Sequence, residues 1–313
     1  MKQYFSLSDR TDVPCVVALG CFDGVHLGHR AVIQTAKQLS ALYQCATAVW
    51  TFSEPPKNFF QPGSVPLITD GKAKARLMES LGVEHLFSVP FGESVAALSP
   101  RQFFEDVLLR QLQAKHLVCG YNYTFGAGGA GTVDTLRALC REAEIGLSVL
   151  PPVTVDELPV SSSVIRSALE EGNPQLATAA LGRPYSLCAP VIGGQRLARN
   201  LGFPTVNQEF PKGTVIPRRG VYAVQVTLPH EATPFFGISN VGLRPTVGGS
   251  LLCCETHIFE FEGDLYDTPV TVEFLSFLRE EQKFSSLEKL TAQVTKDINQ
   301  AKEILQKIST DNE

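Results

Sequence analysis

The sequence predicts a doubly wound α/β domain followed by an antiparallel β domain, a barrel or a sandwich, that ends in a helix. Three observations carry this. Short apolar runs alternate with helical spacing from residue 13 to about residue 150, the pattern of a parallel sheet with crossover helices. Past Gly182 the runs become strand-like and are separated by Gly and Pro turns. The final segment then returns to a three-and-four apolar stripe. At 313 residues the chain is about twice a typical domain length, so two domains fit it, 1–182 and 183–313.

In chain order, Val16 to Gly20, Ala46 to Phe52, Glu84 to Val89, Leu117 to Gly120 and Leu147 to Leu150 have the length and apolarity of strands buried on both faces. After the first of them, Arg30 to Tyr43 places Ile33, Ala36 and Leu39 on one helical face. Ser99, Pro100 and Gln102 start a helix ahead of Phe103, Phe104, Val107 and Leu108: serine caps, proline suits the first turn, and glutamine reaches back to the cap. Pro151 and Pro152 break the rhythm, and Val164 to Glu171 reads as a short helix closed by Gly172. Leu187 to Ile192, Val221 to Leu228, Phe235 to Val241, Leu252 to Phe261 and Val270 to Phe277 are the strands of the second domain. Ser285 and Glu288 predict a capping box for a last helix whose stripe, Leu287, Leu290, Val294, Ile298, Ala301, Leu305 and Ile308, packs on the β domain.

Composition narrows the function classes. With 44% hydrophobic and 19% charged residues the chain is ordinary globular material. A net charge of −5 argues against a general electrostatic grip on nucleic acid or an anionic membrane. No apolar run is long enough to span a bilayer, and Met1 to Arg10 lacks the apolar core of a signal peptide, so a cytoplasmic protein is expected. The 8 cysteines form no CxxC pair and no zinc-spaced cluster, which predicts buried, reduced thiols. An oligomer is compatible with all of this.

Chemistry-bearing residues gather first in Gly20-Cys21-Phe22-Asp23-Gly24-Val25-His26-Leu27-Gly28-His29, between the first strand and the first helix. Ligands of open α/β sheets bind beyond the carboxyl ends of strands, and a helix N-terminus there favours phosphate. Gly24 and Gly28 let a phosphate approach the backbone, while His26 and His29 are placed to donate hydrogen bonds as charge builds on it. Two surface histidines, or half of a metal site completed by Asp23, are the other readings of the same residues. Gly120-Tyr121-Asn122-Tyr123-Thr124-Phe125-Gly126, with the glycine run to Gly131, reads as the lining of a nucleotide or flavin pocket or as a plain loop. Ser161, Ser162, Ser163 and Arg166 at a helix start suit a phosphate, although serines there are also ordinary caps.

In the second half, Thr205 and Asn207 lie two apart in Arg199-Asn200-Leu201-Gly202-Phe203-Pro204-Thr205-Val206-Asn207. In an extended chain both face one side, where they suit a metal or phosphate, and a polar turn is the alternative. Alternation from Cys253 to Phe261 puts Glu255 and His257 on the side of Cys253, Phe259 and Phe261. A carboxylate on an apolar face is a candidate general base or ligand, because burying it without a partner is costly.

The HxGH placement resembles the signature of the nucleotidyltransferase superfamily. Together with the GYNYTFG loop and the SSxxIR segment it looks like the FMN adenylyltransferase module of bacterial bifunctional riboflavin kinase/FAD synthetases. Five further stretches occur in the order seen in riboflavin kinases: LGFPTVN, PRRGVY from Pro217 to Tyr222, NVGLRPT from Asn240 to Thr246, ETH, and LRxExxF from Leu278 to Phe284. The resemblance implies riboflavin plus ATP giving FMN plus ADP, then FMN plus ATP giving FAD plus pyrophosphate, with Mg²⁺ accompanying ATP and no tightly bound redox cofactor. It implies a six-stranded barrel for the second domain. Catalytic roles fall on His26, His29 and Glu255. Thr205 and Asn207 hold Mg²⁺ with ATP. Substrate and nucleotide contacts fall on Gly20, Phe22, Asp23, Gly24, Gly28, Asn122, Ser162, Ser163, Arg166, Arg199, Gly202, Pro204, Asn240 and Arg279. The chain departs from the pattern at Val206 for alanine, Ala198 for glycine, Ser163 for threonine, and in Thr51-Phe52-Ser53-Glu54-Pro55-Pro56 for TFxPxP.

Overall fold

A computed structural model describes residues 1–193, 203–246 and 249–310. The chain packs as two units, Met1–Ser162 and Ser163–Glu313.

In the first unit, β1 (Lys2–Tyr4), β2 (Cys15–Leu19), β3 (Ala46–Phe52), β4 (His85–Val89), β5 (Ala114–Gly120) and β6 (Gly146–Leu150) form one parallel sheet in the order β1-β4-β3-β2-β5-β6. All five residues of β2 are buried, and alternation splits them. Cys15, Val17 and Leu19 join Trp50, Phe87 and Leu117 on one face, while Val16 and Ala18 meet Val49, Ile33 and Val118 on the other. The strand order turns back between β2 and β5, and such a switch point opens a crevice at the carboxyl ends of the strands.

The helix Leu27–Tyr43 follows β2 and buries Val32, Ile33, Ala36 and Ser40. The predicted start at Ser99 is a full capping box with Pro100 in the first turn. Beyond it the backbone widens into a π-helix over Phe103–Gln111, a form the apolar spacing did not announce, and Phe103, Phe104, Val107 and Leu108 all remain in the core. Trp50, the only tryptophan of the chain, is 1% exposed, stacked against Phe87 and edge-on to Phe103. A short hairpin, β7 (Thr154–Val155) with β8 (Leu158–Pro159), turns through Asp156 and Glu157, both at positive φ.

The helix Ser162–Glu171, whose first residue belongs to the first unit, is ended by Gly172 at φ +79 and followed by the helix Pro174–Leu181. Then β9 (Tyr185–Pro190), β10 (Val206–Glu209), β11 (Gly220–Thr227), β12 (Phe235–Thr246), β13 (Gly249–Ile258) and β14 (Pro269–Arg279) form an antiparallel sheet in the order β10-β13-β12-β11-β14-β9. Its two ends meet where the Ile192 N–H donates to the Asn207 carbonyl at 2.8 Å, which makes the sheet a six-stranded barrel. Gln208 braces that seam, its Nε2 donating to the carbonyls of Ala189 at 2.7 Å and Val270 at 2.8 Å. Tyr222, Val224, Val226, Phe274 and the paired hydroxyls of Ser239 and Thr256 fill the interior.

Val221, Ala223, Ile238 and Phe259 face outward and receive Val294, Ile298, Ala301 and Leu305 of the C-terminal helix Leu287–Thr310, whereas Leu287, expected in the same stripe, is 64% exposed at the helix start. The cap lies one residue later than the expected Ser285–Glu288 pair: Ser286 Oγ accepts the Lys289 N–H at 3.3 Å, and Ser285 receives the Lys289 ammonium instead. The thiols also differ from expectation. All eight cysteines are free, but Cys21 is exposed and Cys45 and Cys188 are half-buried. Among the described residues no helix is long and apolar enough to cross a membrane.

Candidate active sites

The loop after β2 is held in an unusual shape. Phe22 at φ 50, Gly24 at φ 83 and Val25 at φ 43 all adopt left-handed backbone, which for a β-branched valine costs about 1–3 kcal/mol. Neighbouring groups over-determine it. The Asp23 carboxylate accepts the N–H groups of Ile68 at 3.0 Å and Thr69 at 3.2 Å, and Gly24 donates to Thr69 Oγ1 at 3.2 Å. Thr51 Oγ1 donates to the Cys21 carbonyl at 2.8 Å, and Ser162 Oγ donates to the Asp23 carbonyl at 2.9 Å. Lys74, only 2% exposed, donates to the Phe52 carbonyl at 2.8 Å and the Cys21 carbonyl at 3.5 Å.

This shape delivers two imidazoles to the start of the first helix. His26 is the N-cap residue, and its Nδ1 accepts the His29 N–H at 3.3 Å. An accepting Nδ1 is unprotonated, so in neutral His26 the proton sits on Nε2. The two rings stack at 3.6 Å between centroids. Burial, with the neighbouring His26 and Lys74 charges, holds the His29 pKa well below its ordinary 6.5, so His29 is a neutral donor. Its Nδ1 is buried and has no hydrogen-bond partner among the described residues. Gly28 makes room: a Cβ there would sit 3.2 Å from His26 Cε1.

Not every expected contact residue points to a ligand. Phe22 is fully buried, with its ring 5.1 Å from that of His29, and supports the histidine rather than lining a pocket. The Asp23 side chain is 2% exposed and tied to the 68–69 backbone as described. Among the described residues no group of three or more His, Cys, Asp or Glu side chains is placed to hold a metal ion. Gly20 lies against the Phe22 ring. Asn122 is exposed in the turn after β5, with its Oδ1 folded back over Gly120. Ser162 binds the histidine loop, whereas Ser163 and Arg166 lie in the second packing unit. Phe59 and Phe60, 42% and 67% exposed, form an aromatic cluster with Phe52 and Phe91 beyond β3.

In the barrel, strand register assembles the second set. Asn207 of β10 pairs with Glu255 of β13, Glu255 with Asn240 of β12, Asn240 with Val221 of β11, and Val221 with Arg279 of β14. Directly paired residues share a face, so these side chains form one row on the outside of the barrel. Asn207 is 5% exposed, and its Oδ1 has no hydrogen-bond partner among the described residues. Glu255 is half-buried. The apolar face that alternation assigned to it is the outer wall of the barrel: Cys254, Thr256 and Ile258 point inward, and Phe259 is buried because the C-terminal helix covers it. Beside Asn207 opens a cavity of about 590 Å³ lined by Ile192, Pro204, Thr205, Phe261, Asp264 and Tyr266 among others. A second, of about 620 Å³, is lined by Pro217, Arg218 and Arg219 of one motif and Glu280 and Glu281 of another. Asn240 Nδ2 lies 3.4 Å from Glu281 Oε1.

Arg279, expected at substrate, is committed elsewhere. Its guanidinium makes a forked pair with Asp297 of the C-terminal helix, with Nε and Nη2 at 3.0 and 2.7 Å, and Asp297 is 1% exposed. Arg199 and Gly202 lie outside the described residues. Two residues escape the sequence reading, Lys74 and Asp297, while His257 is placed on the face of Glu255 without a role. Helical spacing did carry a signal for Lys74, which with Met78 forms the buried face of the helix Gly71–Ser80.

Comparison with known proteins agrees in both halves. A family profile described as FAD synthetase matches residues 8–164, and one described as riboflavin kinase matches residues 181–305. The bifunctional riboflavin kinase/FMN adenylyltransferase of Bacillus subtilis is 36% identical over 291 residues, covering 91% of each chain. The Escherichia coli K12 protein of the same description is 35% identical over 301 residues, covering 95% of each. A crystal structure from Streptococcus pneumoniae, described as a macrolide-efflux protein, superposes with a TM-score of 0.87 at 29% identity, covering 96% of this chain and 98% of that one. With an intact histidine loop in the first unit and the Asn207–Glu255–Asn240 row in the second, the chain belongs to the family of bifunctional riboflavin kinase/FMN adenylyltransferases.

Proposed function

We propose that the outer row of the barrel carries riboflavin phosphorylation and that the histidine loop carries adenylylation of the FMN so made. In the barrel Glu255 takes the proton of the ribityl hydroxyl as its oxygen attacks the γ-phosphorus of ATP, and ADP leaves. The observation that carries this reading is the orphaned Asn207 Oδ1 beside Glu255, a buried hard oxygen donor of the kind Mg²⁺ takes. Thr205 and Asn207 hold Mg²⁺ with ATP, and Pro204, Arg199 and Gly202 complete the nucleotide loop. Mg²⁺, when bound, offsets the charge of the β- and γ-phosphates. Asn240 positions riboflavin, and Arg279 acts through the C-terminal helix.

In the first unit an FMN phosphate oxygen attacks the α-phosphorus of ATP, and pyrophosphate leaves. His26, through Nε2–H, and neutral His29 donate to the oxygens that gain charge. Gly20, Gly24 and Gly28 keep the backbone open to the nucleotide, with Asn122, Ser162, Ser163 and Arg166 holding phosphates or ribose, and the cluster of Phe52, Phe59, Phe60 and Phe91 takes the flavin ring. By function the boundary lies at Gly182, with adenylyltransferase in 1–182 and kinase in 183–313. Eight free thiols support a cytoplasmic location.

The test is to incubate the protein with riboflavin, excess ATP and Mg²⁺ and to separate riboflavin, FMN and FAD over time. The wild type is expected to make FMN and then FAD. Glu255→Gln is expected to stop FMN formation while supplied FMN is still converted to FAD. Loss of both activities in a folded Glu255→Gln protein refutes two separate sites.

A further inference from the structure

We infer that His257 is a positioning residue that sets the nucleotide loop of the kinase site by holding the Pro204 carbonyl. In the ladder between β10 and β13, Val206 pairs with Thr256 and Asn207 with Glu255. Continued by one residue, that register brings Thr205 opposite His257, but β10 begins only at Val206. Pro204 has no N–H with which to extend the ladder. The His257 side chain takes over: its Nδ1 lies 2.9 Å from the Pro204 carbonyl oxygen. A carbonyl only accepts, so Nδ1 carries the proton, and the bond survives whether the imidazole is neutral or charged. Phe203 and Phe259 meet the same ring edge-on, both at 5.7 Å between centroids.

The bond is a bolt between β13, which carries Glu255, and the segment that carries Thr205 and Asn207. Without it the chain before Val206 loses its hydrogen bond to β13, and the hydroxyl of Thr205 loses its fixed distance from Glu255. The inference rests on the reading of Thr205 and Asn207 as the Mg-nucleotide holders.

Two substitutions separate the hydrogen bond from the packing. His257→Phe keeps an aromatic ring between Phe203 and Phe259 but has no donor. His257→Asn loses the ring but keeps an N–H at the place of Nδ1. In steady-state riboflavin phosphorylation by the full chain, His257→Phe is expected to raise KM for Mg-ATP roughly 5- to 10-fold, the worth of one lost hydrogen bond. KM for riboflavin and the rate of FMN adenylylation stay at wild-type values. His257→Asn is expected to recover most of the loss. Without nucleotide, hydrogen exchange of the Thr205 to Gln208 amides is expected to speed up in His257→Phe and not in His257→Asn. The reverse order of the two variants, or wild-type KM and exchange in His257→Phe, overturns the inference. Thr205→Ala, measured alongside, tests the reading beneath it. Unchanged KM for Mg-ATP in Thr205→Ala sinks the nucleotide loop itself and the inference with it, whatever the exchange data show.

Discussion

Gly28→Ala is expected to separate stability from catalysis in the first unit. A Cβ at Gly28 would stand 3.2 Å from Cε1 and 3.3 Å from Nδ1 of His26, so the imidazole must yield by a few tenths of an ångström. It has little room, being 6% exposed and stacked on His29 at 3.6 Å. On stability two effects oppose: alanine in the first helical turn gains up to about 1 kcal/mol over glycine, and a weakened His26 cap loses about 1 kcal/mol. The melting temperature therefore barely moves. Catalysis has no such compensation. A misplacement of about 1 Å costs on the order of 100-fold, so a few tenths should slow FMN adenylylation roughly 3- to 10-fold. The assay compares FAD formation from FMN with FMN formation from riboflavin in one preparation, the second serving as control. Full adenylylation in the variant, or equal loss in both reactions, refutes the idea that Gly28 exists to seat His26.

The forked Arg279–Asp297 pair joins the barrel to its helix with Asp297 buried, so Asp297→Ala leaves a cation without its partner and should destabilise the second unit by about 3–5 kcal/mol, read by urea denaturation followed by far-UV dichroism. His29 is held below its ordinary 6.5 by burial, so above that pH neither folded nor unfolded chain protonates it and nothing is lost. As pH falls below 6.5 the unfolded state binds a proton that the folded state refuses, and stability declines until the folded pKa is reached. His85 and His116, also lowered by burial, add to the same slope. Thermal melts from pH 7.5 to about 5 should show the decline, and His29→Leu should make it shallower; a slope unchanged by that substitution contradicts a neutral buried His29.

Much of the fold was legible because buried strands advertise themselves. Ala46–Phe52 was read at its full extent, and the Ser99 cap followed from three residues. What escaped depends on bonds between distant residues. The four-residue β10 is polar, Val-Asn-Gln-Glu, and owes its strand form to its register with β13. The π-helix keeps the apolar spacing of an ordinary helix, so nothing in periodicity marks it. For the sites, spacing named His26, His29, Asn207 and Glu255, but not what holds them. Asp23 and Arg279 carry the right chemistry for a ligand and spend it on the 68–69 backbone and on Asp297. Alternation put Glu255 and Phe259 on one side correctly but could not tell the lumen of a barrel from an outer wall roofed by a helix.

The lone tryptophan has a practical meaning. Trp50 sits in the sheet of the first unit, and the barrel has none, so indole emission is a spectroscopic label on one half of an unmodified chain. Backbone dichroism sees both halves. Where the two signals melt together the halves unfold as one cooperative block, and where they part the interval between them measures how independently each enzyme stands.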